Sequence, residues 1–348
     1  MERVIAYVDG YNLYYGLRAK GMKSRFLRTS HLAIILTTLL FLASCFLPPA
    51  SYPTPSLSPT PSPSPTLTPL PPTETPSPTS TPEPTPIPPI RFAVIGDYGM
   101  NNQAEADVAA LILSWQPDFI ITTGDNNYPI GAAATIDANI GQFFHAYIAR
   151  YTGNYGEGAA ENLFFPVLGN HDWSTDRAQP YLDYFTLPGS ERYYGFVWGP
   201  VHFFALDSDD REPDGVGRSS VQAAWLQAGL AASTSAWNVV YFHHPPYSSG
   251  HHGSTDWMRW PFSAWGADAV LSGHDHTYER LLVDGIPYFV NGVGGAARRE
   301  FRTPLPESQF RYNAGYGAML VAVNETEMLF EFYNRAGELK DSYRVMKP

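Results

Sequence analysis

Residues 118–128 read DFIITTGDNNY, an apolar run that becomes polar within two residues. The β-branched run is typical of a buried strand, and Gly124-Asp125 then puts a carboxylate at the strand end. A helical pattern, AEADVAALILSW, lies just before it at residues 104–115. The same strand-then-polar arrangement recurs in RFAVIGD (91–97), LFFPVLGNHD (163–172), HFFALDS (202–208), WNVVYFHH (237–244), DAVLSGHDH (268–276) and IPYFVNGVGG (286–295). Strands that alternate with helices predict an α/β domain with its site at the strand ends.

The end of the chain follows a different pattern. AMLVAV (318–323), MLFEFYN (328–334) and LKDSYRV (339–345) follow one another closely, with turn residues at Ala336-Gly337. This spacing predicts an antiparallel hairpin. The signals from Arg91 to Pro348 show no internal linker, so we expect a single catalytic domain over residues 91–348.

Composition excludes some partners. Lysine and arginine total 22 against 33 acidic residues, a formal charge of −11 in 348 residues. This field repels polyanions, so no nucleic acid is expected as a partner. Cys45 is the one cysteine, which rules out an intramolecular disulfide.

The N-terminus contains two unrelated beginnings. Residues 1–21, MERVIAYVDGYNLYYGLRAKG, resemble the opening of a NYN-type, PIN-like nuclease domain. Twenty residues cannot bury a core of their own, and the further acidic strands of such a domain do not follow. We interpret the segment as a gene-start error or a truncated fusion.

Residues 22–45 have the pattern of a secretory signal peptide. A basic start, MKSRFLR, precedes the apolar run LAIILTTLLFLA, which is short for a membrane-spanning helix. The run ends in LASC, which resembles a bacterial lipobox and predicts a lipid anchor at Cys45; an uncleaved anchor or a buried thiol are the alternatives. Residues 46–90 are rich in proline, serine and threonine, as expected of a disordered linker.

Five strand ends carry residues of the types that bind metals. In chain order they are Gly96-Asp97-Tyr98-Gly99, Gly124-Asp125-Asn126-Asn127-Tyr128, Gly169-Asn170-His171-Asp172, His243-His244-Pro245 and Gly273-His274-Asp275-His276. Each alone is weak evidence, because a single Gly-Asp is usually a turn and a single histidine is usually structural. The five together, each after a strand, indicate one metal centre.

This set resembles the calcineurin-like metallophosphoesterase superfamily and, within it, the purple acid phosphatases. The resemblance extends over nearly the whole chain from Arg91. It implies a four-layer αββα sandwich, two mixed sheets flanked by helices, with a dinuclear metal centre. By resemblance one metal takes Asp97, Asp125, Tyr128 and His276, and the other takes Asp125, Asn170, His243 and His274.

The chemistry of phosphate esters gives the same expectation a physical reason. An anionic nucleophile must approach an anionic phosphorus, and two metal ions about 3.5–4 Å apart neutralise charge and lower the pKa of a bound water. Such a pair needs a bridging carboxylate, for which Asp125 is the candidate. Carboxylate, amide and imidazole ligands suit iron, zinc or manganese.

Within the superfamily, Tyr128 favours a resemblance to the purple acid phosphatases. The superfamily usually has Asp-x-His in the first motif, but here Gly99 stands two residues after Asp97 and offers no ligand. Purple acid phosphatases place a tyrosine three residues after the bridging aspartate, as Tyr128 follows Asp125. A phenolate favours Fe(III), with Zn, Mn or Fe(II) expected at the second site; the alternative is a packed loop tyrosine.

Other residues near these motifs have expected roles. Family precedent uses His171 to protonate the leaving group or hold the phosphate, and His252 to contact substrate, although the adjacent His251 could be the inward ring. We expect His244 to be structural. Asp172 and Asp275 are expected to be hydrogen-bonding partners rather than ligands.

The sequence therefore predicts a cell-surface or secreted acid phosphatase that acts on small phosphate monoesters, with a metal-activated hydroxide attacking phosphorus. Its membrane contact would be the lipid at Cys45. Two alternatives stay open: a phosphodiesterase or nucleotide hydrolase on the same metal core, and a non-catalytic binding lipoprotein. The pocket wall would distinguish the phosphatase from the phosphodiesterase or nucleotide hydrolase. We expect it to be formed by loops 209–218, 248–260 and 296–316.

Overall fold

Between residues 89 and 347 the chain forms thirteen strands in two sheets. These are the residues that the structure, a computed structural model, describes. The nuclease-like fragment 1–21, the signal peptide 22–45 with Cys45, and the linker up to residue 88 lie outside the described residues.

The first sheet has six strands in the order β13-β12-β11-β1-β2-β3. β1, β2 and β3 run parallel, and β11, β12 and β13 are joined to β1 by antiparallel pairing. The strand bounds are β1 Ile90–Ile95, β2 Phe119–Thr122, β3 Phe164–Phe165, β11 Gly317–Val323, β12 Glu327–Asn334 and β13 Leu339–Met346.

The second sheet has seven strands in the order β10-β8-β9-β7-β6-β5-β4. β5, β6, β7 and β9 run parallel, while β4, β8 and β10 pair antiparallel to their neighbours. The bounds are β4 Tyr194–Trp198, β5 Val201–Ala205, β6 Trp237–Tyr241, β7 Ala269–Ser272, β8 Tyr278–Val283, β9 Ile286–Asn291 and β10 Ser308–Tyr312.

The helices fill the connections between strands. Their bounds are α1 Gln103–Trp115, α2 Ala133–Ile136, α3 Gln142–Phe144, α4 Gln179–Tyr184, α5 Val221–Ala232 and α6 Phe262–Trp265. A π-helix at Asp137–Gly141 separates α2 from α3, and single 3-10 turns lie at His145–Tyr147, Asp172–Ser174, Asp176–Ala178 and Asp256–Met258. Side-chain caps start the two long helices: Asn102 accepts from Glu105 N, and Ser220 accepts from Ala223 N.

Two apolar layers hold the sheets and helices together. The larger lies between the sheets, where Phe92 of β1 packs 5.2 Å from Phe119 of β2 and 5.1 Å from Phe203 of β5. The smaller joins the second sheet to α5 and α6, with Leu226 and Phe262 fully buried. Burying one such side chain contributes about 1.5–3 kcal/mol. The two mixed sheets and their helices confirm the predicted sandwich.

Several sequence predictions can be compared with these bounds. The helix over residues 104–115 and the hairpin of β12 and β13 are confirmed. The run at residues 163–168 pairs as a strand only at Phe164–Phe165, and Pro166, which has no N–H to donate, comes next. β4, β8 and β10 were not predicted. Over residues 89–347, no helix combines the length and the hydropathy that crossing a bilayer requires.

Candidate metal centre

The strand ends bring all seven predicted ligands together. Parallel strands present their carboxyl ends at one edge, so the loops after β1, β2 and β3 of the first sheet meet those after β6 and β7 of the second. The seven side chains are Asp97, Asp125, Tyr128, Asn170, His243, His274 and His276. The centre is thus built across both sheets.

The backbone at this edge is locally strained. Asp97, Asp125 and His274 have φ values of 52°, 53° and 67°, in the left-handed region that residues with a Cβ seldom adopt. Each such residue costs on the order of 1–3 kcal/mol and is found mainly at functional sites. The turns that carry these three residues are therefore less stable than turns of ordinary conformation, and they direct the three side chains into the centre.

The first donor group comprises Asp97, Asp125, Tyr128 and His276. The Tyr128 phenol oxygen lies 3.3 Å from Asp97 Oδ1, 3.0 Å from Asp125 Oδ2 and 3.2 Å from His276 Nε2. His276 Nε2 lies 3.4 Å from Asp97 Oδ1. Three oxygen donors and one nitrogen donor therefore surround one small space.

The second donor group comprises Asp125, Asn170, His243 and His274. Asn170 Oδ1 lies 3.1 Å from both His243 Nε2 and His274 Nδ1. The two ring nitrogens are 3.2 Å apart, and His243 Nε2 is 3.4 Å from Asp125 Oδ2. Asp125 Oδ2 therefore belongs to both donor groups.

These separations fit ligand atoms around small cations. Ligands at about 2.0–2.2 Å from one ion lie roughly 3.0–3.5 Å from each other in tetrahedral or octahedral geometry. Both donor groups fall in that range, and their carboxylate, amide, phenol and imidazole atoms are those that iron, zinc and manganese accept. The residues present could therefore hold two metal ions, with Asp125 belonging to both sets of ligands.

Two of the histidines are held in place by hydrogen bonds from the ring nitrogen that faces away from the centre. His243 Nδ1 lies 2.8 Å from Thr123 O, and His276 Nδ1 lies 2.6 Å from Ala297 O. A ring nitrogen that donates to a carbonyl leaves the other nitrogen with its lone pair free for a metal. Asp97 Oδ2 accepts from His274 N at 2.8 Å, which ties the first motif to the last.

Electrostatics draw positive charge to the space between the carboxylates. Burial opposes a charge on His243, but the Asp125 carboxylate outweighs it and raises the pKa of the imidazole to about 10. Burial likewise opposes charge on His276, yet Asp97 raises its pKa. Burial, together with Asp125, raises the pKa of the Tyr128 phenol well above its ordinary value. A cation would compete with these protons for the ligand atoms.

Gly99 and the loop that carries Tyr128 lie in direct contact. Tyr128 N donates to Gly99 O at 2.8 Å. A Cβ on Gly99 would lie 1.8 Å from Asn126 O, so no side chain fits at this position. The close packing of these two loops therefore excludes a histidine at position 99 and holds the loop that carries Tyr128 in place.

His171 and His252 lie at the edge of the centre. The His171 ring is 4.2 Å from that of Tyr128, its Nε2 is 3.9 Å from Asp125 Oδ2 and its side chain is 34% exposed. The His252 ring lies 4.4 Å from that of His274, which is a predicted ligand. The His251 ring packs against His252 itself, at 5.4 Å. Of the two adjacent histidines, His252 is the one placed against a predicted ligand.

Three other predicted residues have supporting contacts. His244 Nδ1 lies 3.0 Å from Ser208 Oγ. Asp172 accepts from Gly169 N at 2.9 Å and from Asn126. Asp275 accepts from His252 N at 2.6 Å, so it fixes the loop that carries that histidine.

Sequence reasoning missed two residues that hold the ligand loops. Buried Asn139, in the π-helix, donates from Nδ2 to Gly99 O, to Asn127 Oδ1 and to Tyr128 O, at 2.7, 2.8 and 2.9 Å. Arg211 donates to Asn170 O at 3.0 Å. Neither lies in a strand-end motif, so the sequence carried no local signal for them.

The sequence is similar to those of known proteins. The sequence model of the family described as Calcineurin-like phosphoesterase matches residues 90–278. Purple acid phosphatase 17 of Arabidopsis thaliana is 26% identical over 294 residues, 74% of this chain and 85% of that protein. Tartrate-resistant acid phosphatase type 5 of Mus musculus is 24% identical over 300 residues, 73% of this chain and 89% of that protein.

Solved structures show the same fold. The purple acid phosphatase PPD1 from yellow lupin (Lupinus luteus) seeds matches with a TM-score of 0.59 at 17% identity, covering 74% of this chain and 54% of that chain. GAP50, the anchor in the inner membrane complex of Plasmodium, matches with a TM-score of 0.60 at 18% identity, covering 75% of this chain and 90% of that one. At such identities the likeness concerns the fold alone.

Proposed function

The chain belongs to the calcineurin-like phosphoesterase family, and we propose that it is an acid phosphatase that hydrolyses small phosphate monoesters at two metal ions. Membership makes the chain a metal-dependent hydrolase, and similarity to purple acid phosphatases favours phosphatase activity. The observation that carries the proposal is Asp125 Oδ2, which lies 3.0 Å from the Tyr128 oxygen in one donor group and 3.4 Å from His243 Nε2 in the other.

The two donor groups suit different ions. When bound, two metal ions about 3.5–4 Å apart neutralise charge on phosphoryl oxygens and make a water molecule acidic. We assign Fe(III) to the first group, because Tyr128 adds a hard, charged oxygen to two carboxylates. The second group has two imidazoles and an amide, which suit Zn, Mn or Fe(II).

We assign the contacts with substrate to His171 and His252. His171 Nδ1 lies 2.5 Å from Pro129 O, which leaves Nε2 as the atom that can hold or deliver a proton at the cleft. We assign His171 to protonation of the leaving oxygen. His252, fixed through its backbone by Asp275, would hold a phosphoryl oxygen by hydrogen bonding.

A turnover assay tests the proposal. We expect metal-loaded protein to hydrolyse p-nitrophenyl phosphate faster than bis-p-nitrophenyl phosphate. Asp125→Ala removes the shared oxygen and should lower kcat by at least about a thousandfold, since both ions depend on it. Glu325→Ala is the matched control, because this exposed carboxylate lies in the turn between β11 and β12.

The outcomes separate the candidate functions. Preference for the diester would favour the phosphodiesterase alternative. Absence of turnover on every phosphate ester, with metal bound, would contradict an enzyme of either kind. Equal activity of wild type and Asp125→Ala would rule out the shared carboxylate as the centre of the chemistry.

The site of action is a separate proposal, based on the sequence alone. We assign the chain to the cell surface, held by lipid on Cys45, with the proline-rich segment before β1 as a spacer. Detergent-phase partition of the full chain expressed in a bacterial host tests this, with Cys45→Ser as the comparison. Partition into the aqueous phase by both proteins would contradict the anchor.

A further inference from the structure

A row of aromatic rings leads from the second donor group towards the surface. The His252 ring lies 4.4 Å from that of His274, and the His274 ring lies 4.4 Å from that of His244. The His244 ring in turn lies 6.1 Å from Trp257. Because His274 belongs to the second donor group, Trp257 is separated from that group by a single imidazole.

Trp257 is exposed and yet fixed in place. It is 45% exposed, although the next residue, Met258, and the nearby Trp260 are 0% and 3% exposed. Its Nε1 donates to Ser208 O at 3.1 Å, and its carbonyl accepts from Trp260 Nε1 at 2.8 Å. The 3-10 turn is thus anchored in the core while the indole stays at the surface.

The indole can offer a ligand only its apolar faces. Its single donor, Nε1–H, is already bonded to Ser208 O, so it has no hydrogen bond left for a substrate. Among the tryptophans, tyrosines and phenylalanines of residues 89–347, the exposed ones are Trp257 and Tyr155, at 45% and 42% exposure. Single exposed apolar residues are common, but this indole is held by a hydrogen bond to Ser208 O and is separated from the predicted ligand His274 by one imidazole.

We propose that Trp257 forms a stacking subsite for an aromatic ring in the organic part of the phosphate ester. The ring could belong to an aryl phosphate or to a nucleotide, which share a planar face beside the ester. Ring faces stack in offset or tilted pairs, and an alkyl phosphate has no face to offer. The inference rests on the proposed phosphatase function and specifies its substrate class.

The test compares three monoesters: phenyl phosphate, adenosine 5′-monophosphate and glycerol 2-phosphate. We expect Trp257→Ala to lower kcat/KM about tenfold on the two aromatic substrates, mainly through KM. Activity on glycerol 2-phosphate should stay within about twofold. Trp257→Phe keeps a ring but loses Nε1 and should stay within about threefold of wild type. Tyr155→Ala, the other exposed aromatic, should change nothing.

The outcomes show whether the stacked ring belongs to an aryl ester or to a nucleotide, and which results would overturn the proposal. A loss confined to phenyl phosphate supports an aryl ester, and a loss confined to the nucleotide supports a nucleobase. Equal losses on all three substrates, no loss on any, or a Trp257→Phe defect as large as that of Trp257→Ala would overturn the stacking subsite.

A binding measurement keeps the inference separate from the proposed function. Wild type inactive on all three esters would refute the phosphatase, whatever Trp257 does. Phenylphosphonate and methylphosphonate, which cannot be hydrolysed, should then still differ about tenfold in Kd for the metal-loaded protein, and Trp257→Ala should abolish that difference. Equal affinities in wild type would overturn the subsite.

Discussion

At the scale of single residues, Gly99 and Tyr128 depend on each other. A Cβ at residue 99 would lie 1.8 Å from Asn126 O and 2.4 Å from Asn126 C, both backbone atoms that cannot move aside. A histidine at position 99 and the observed path of the Tyr128 loop therefore exclude each other. The backbone of the loop therefore accommodates the predicted ligand Tyr128 and no side chain at position 99.

Gly99→Ala tests this contact directly. We expect the substitution to lower the free energy of unfolding by about 1–3 kcal/mol, because the added methyl group overpacks two backbone segments. Urea denaturation measures the change. Gly217→Ala is the control, since a Cβ there meets nothing within 4 Å. A Gly99→Ala protein as stable as the control would show that the two loops do not pack as described.

Some residues of the candidate site can be predicted from the sequence, and others cannot. The predicted ligands follow strand ends, so a motif of three to five residues indicates each one, and the structure brings them together. Asn139 has no such motif, because its partner Gly99 lies 40 positions away and the contact depends on tertiary structure. Arg211 is similar, with Asn170 as a partner 41 positions away.

At the scale of elements, the π-helix at Asp137–Gly141 connects the ligand loops. Such segments are rare and often lie at functional sites. Here the segment presents Asn139, whose Nδ2 has two hydrogens for three oxygens at 2.7–2.9 Å. This side chain holds the loop after β1 to the loop after β2, and so sets where Tyr128 stands relative to Asp97.

Substitution of Asn139 tests the role of the π-helix. Asn139→Ala should cost about 1–3 kcal/mol of unfolding free energy, because buried acceptors lose their donor. Asn139→Asp should cost more, because a carboxylate would face three oxygens. Calorimetry measures both, and Gln142→Ala, exposed three residues later, should be near neutral. Equal stability of Asn139→Asp and wild type would contradict the assignment.

Charged residues explain why the sequence pattern did not predict β8. β8 contains Glu279 and Arg280, which argue against a core strand. The structure buries Glu279 completely and satisfies it with Ser249 N at 2.7 Å and Ser249 Oγ at 2.6 Å. Arg280 Nε bonds Asp341 of β13 at 2.8 Å. Partners from distant segments make the strand possible, and no local pattern reveals them.

At the scale of the whole molecule, the centre joins the two sheets. Asp97, Asp125 and Asn170 follow strands of the first sheet, while His243 and His274 follow strands of the second. An ion held by these side chains would be bound to both sheets at once. Binding of metal should therefore stabilise the domain as one unit rather than a single loop.

Thermal unfolding of metal-free protein with added zinc tests this coupling. At a free zinc concentration about a hundredfold above Kd, linkage gives about 2.7 kcal/mol of extra stability. For a domain of this size that corresponds to a rise in Tm of roughly 5–10 °C. Asp125→Ala should lose most of the rise, and Glu325→Ala should keep it. The same rise in all three proteins would place the zinc elsewhere.

The most direct measurement is the visible absorption spectrum of the purified full chain, recorded with its metal content. We expect two metal ions per chain, one of them iron, and a visible band from phenolate bound to Fe(III). Tyr128→Phe should lose the band, while the second metal stays bound. An active wild-type protein that is colourless and free of iron would contradict the assignment of Tyr128 as the ligand that selects iron.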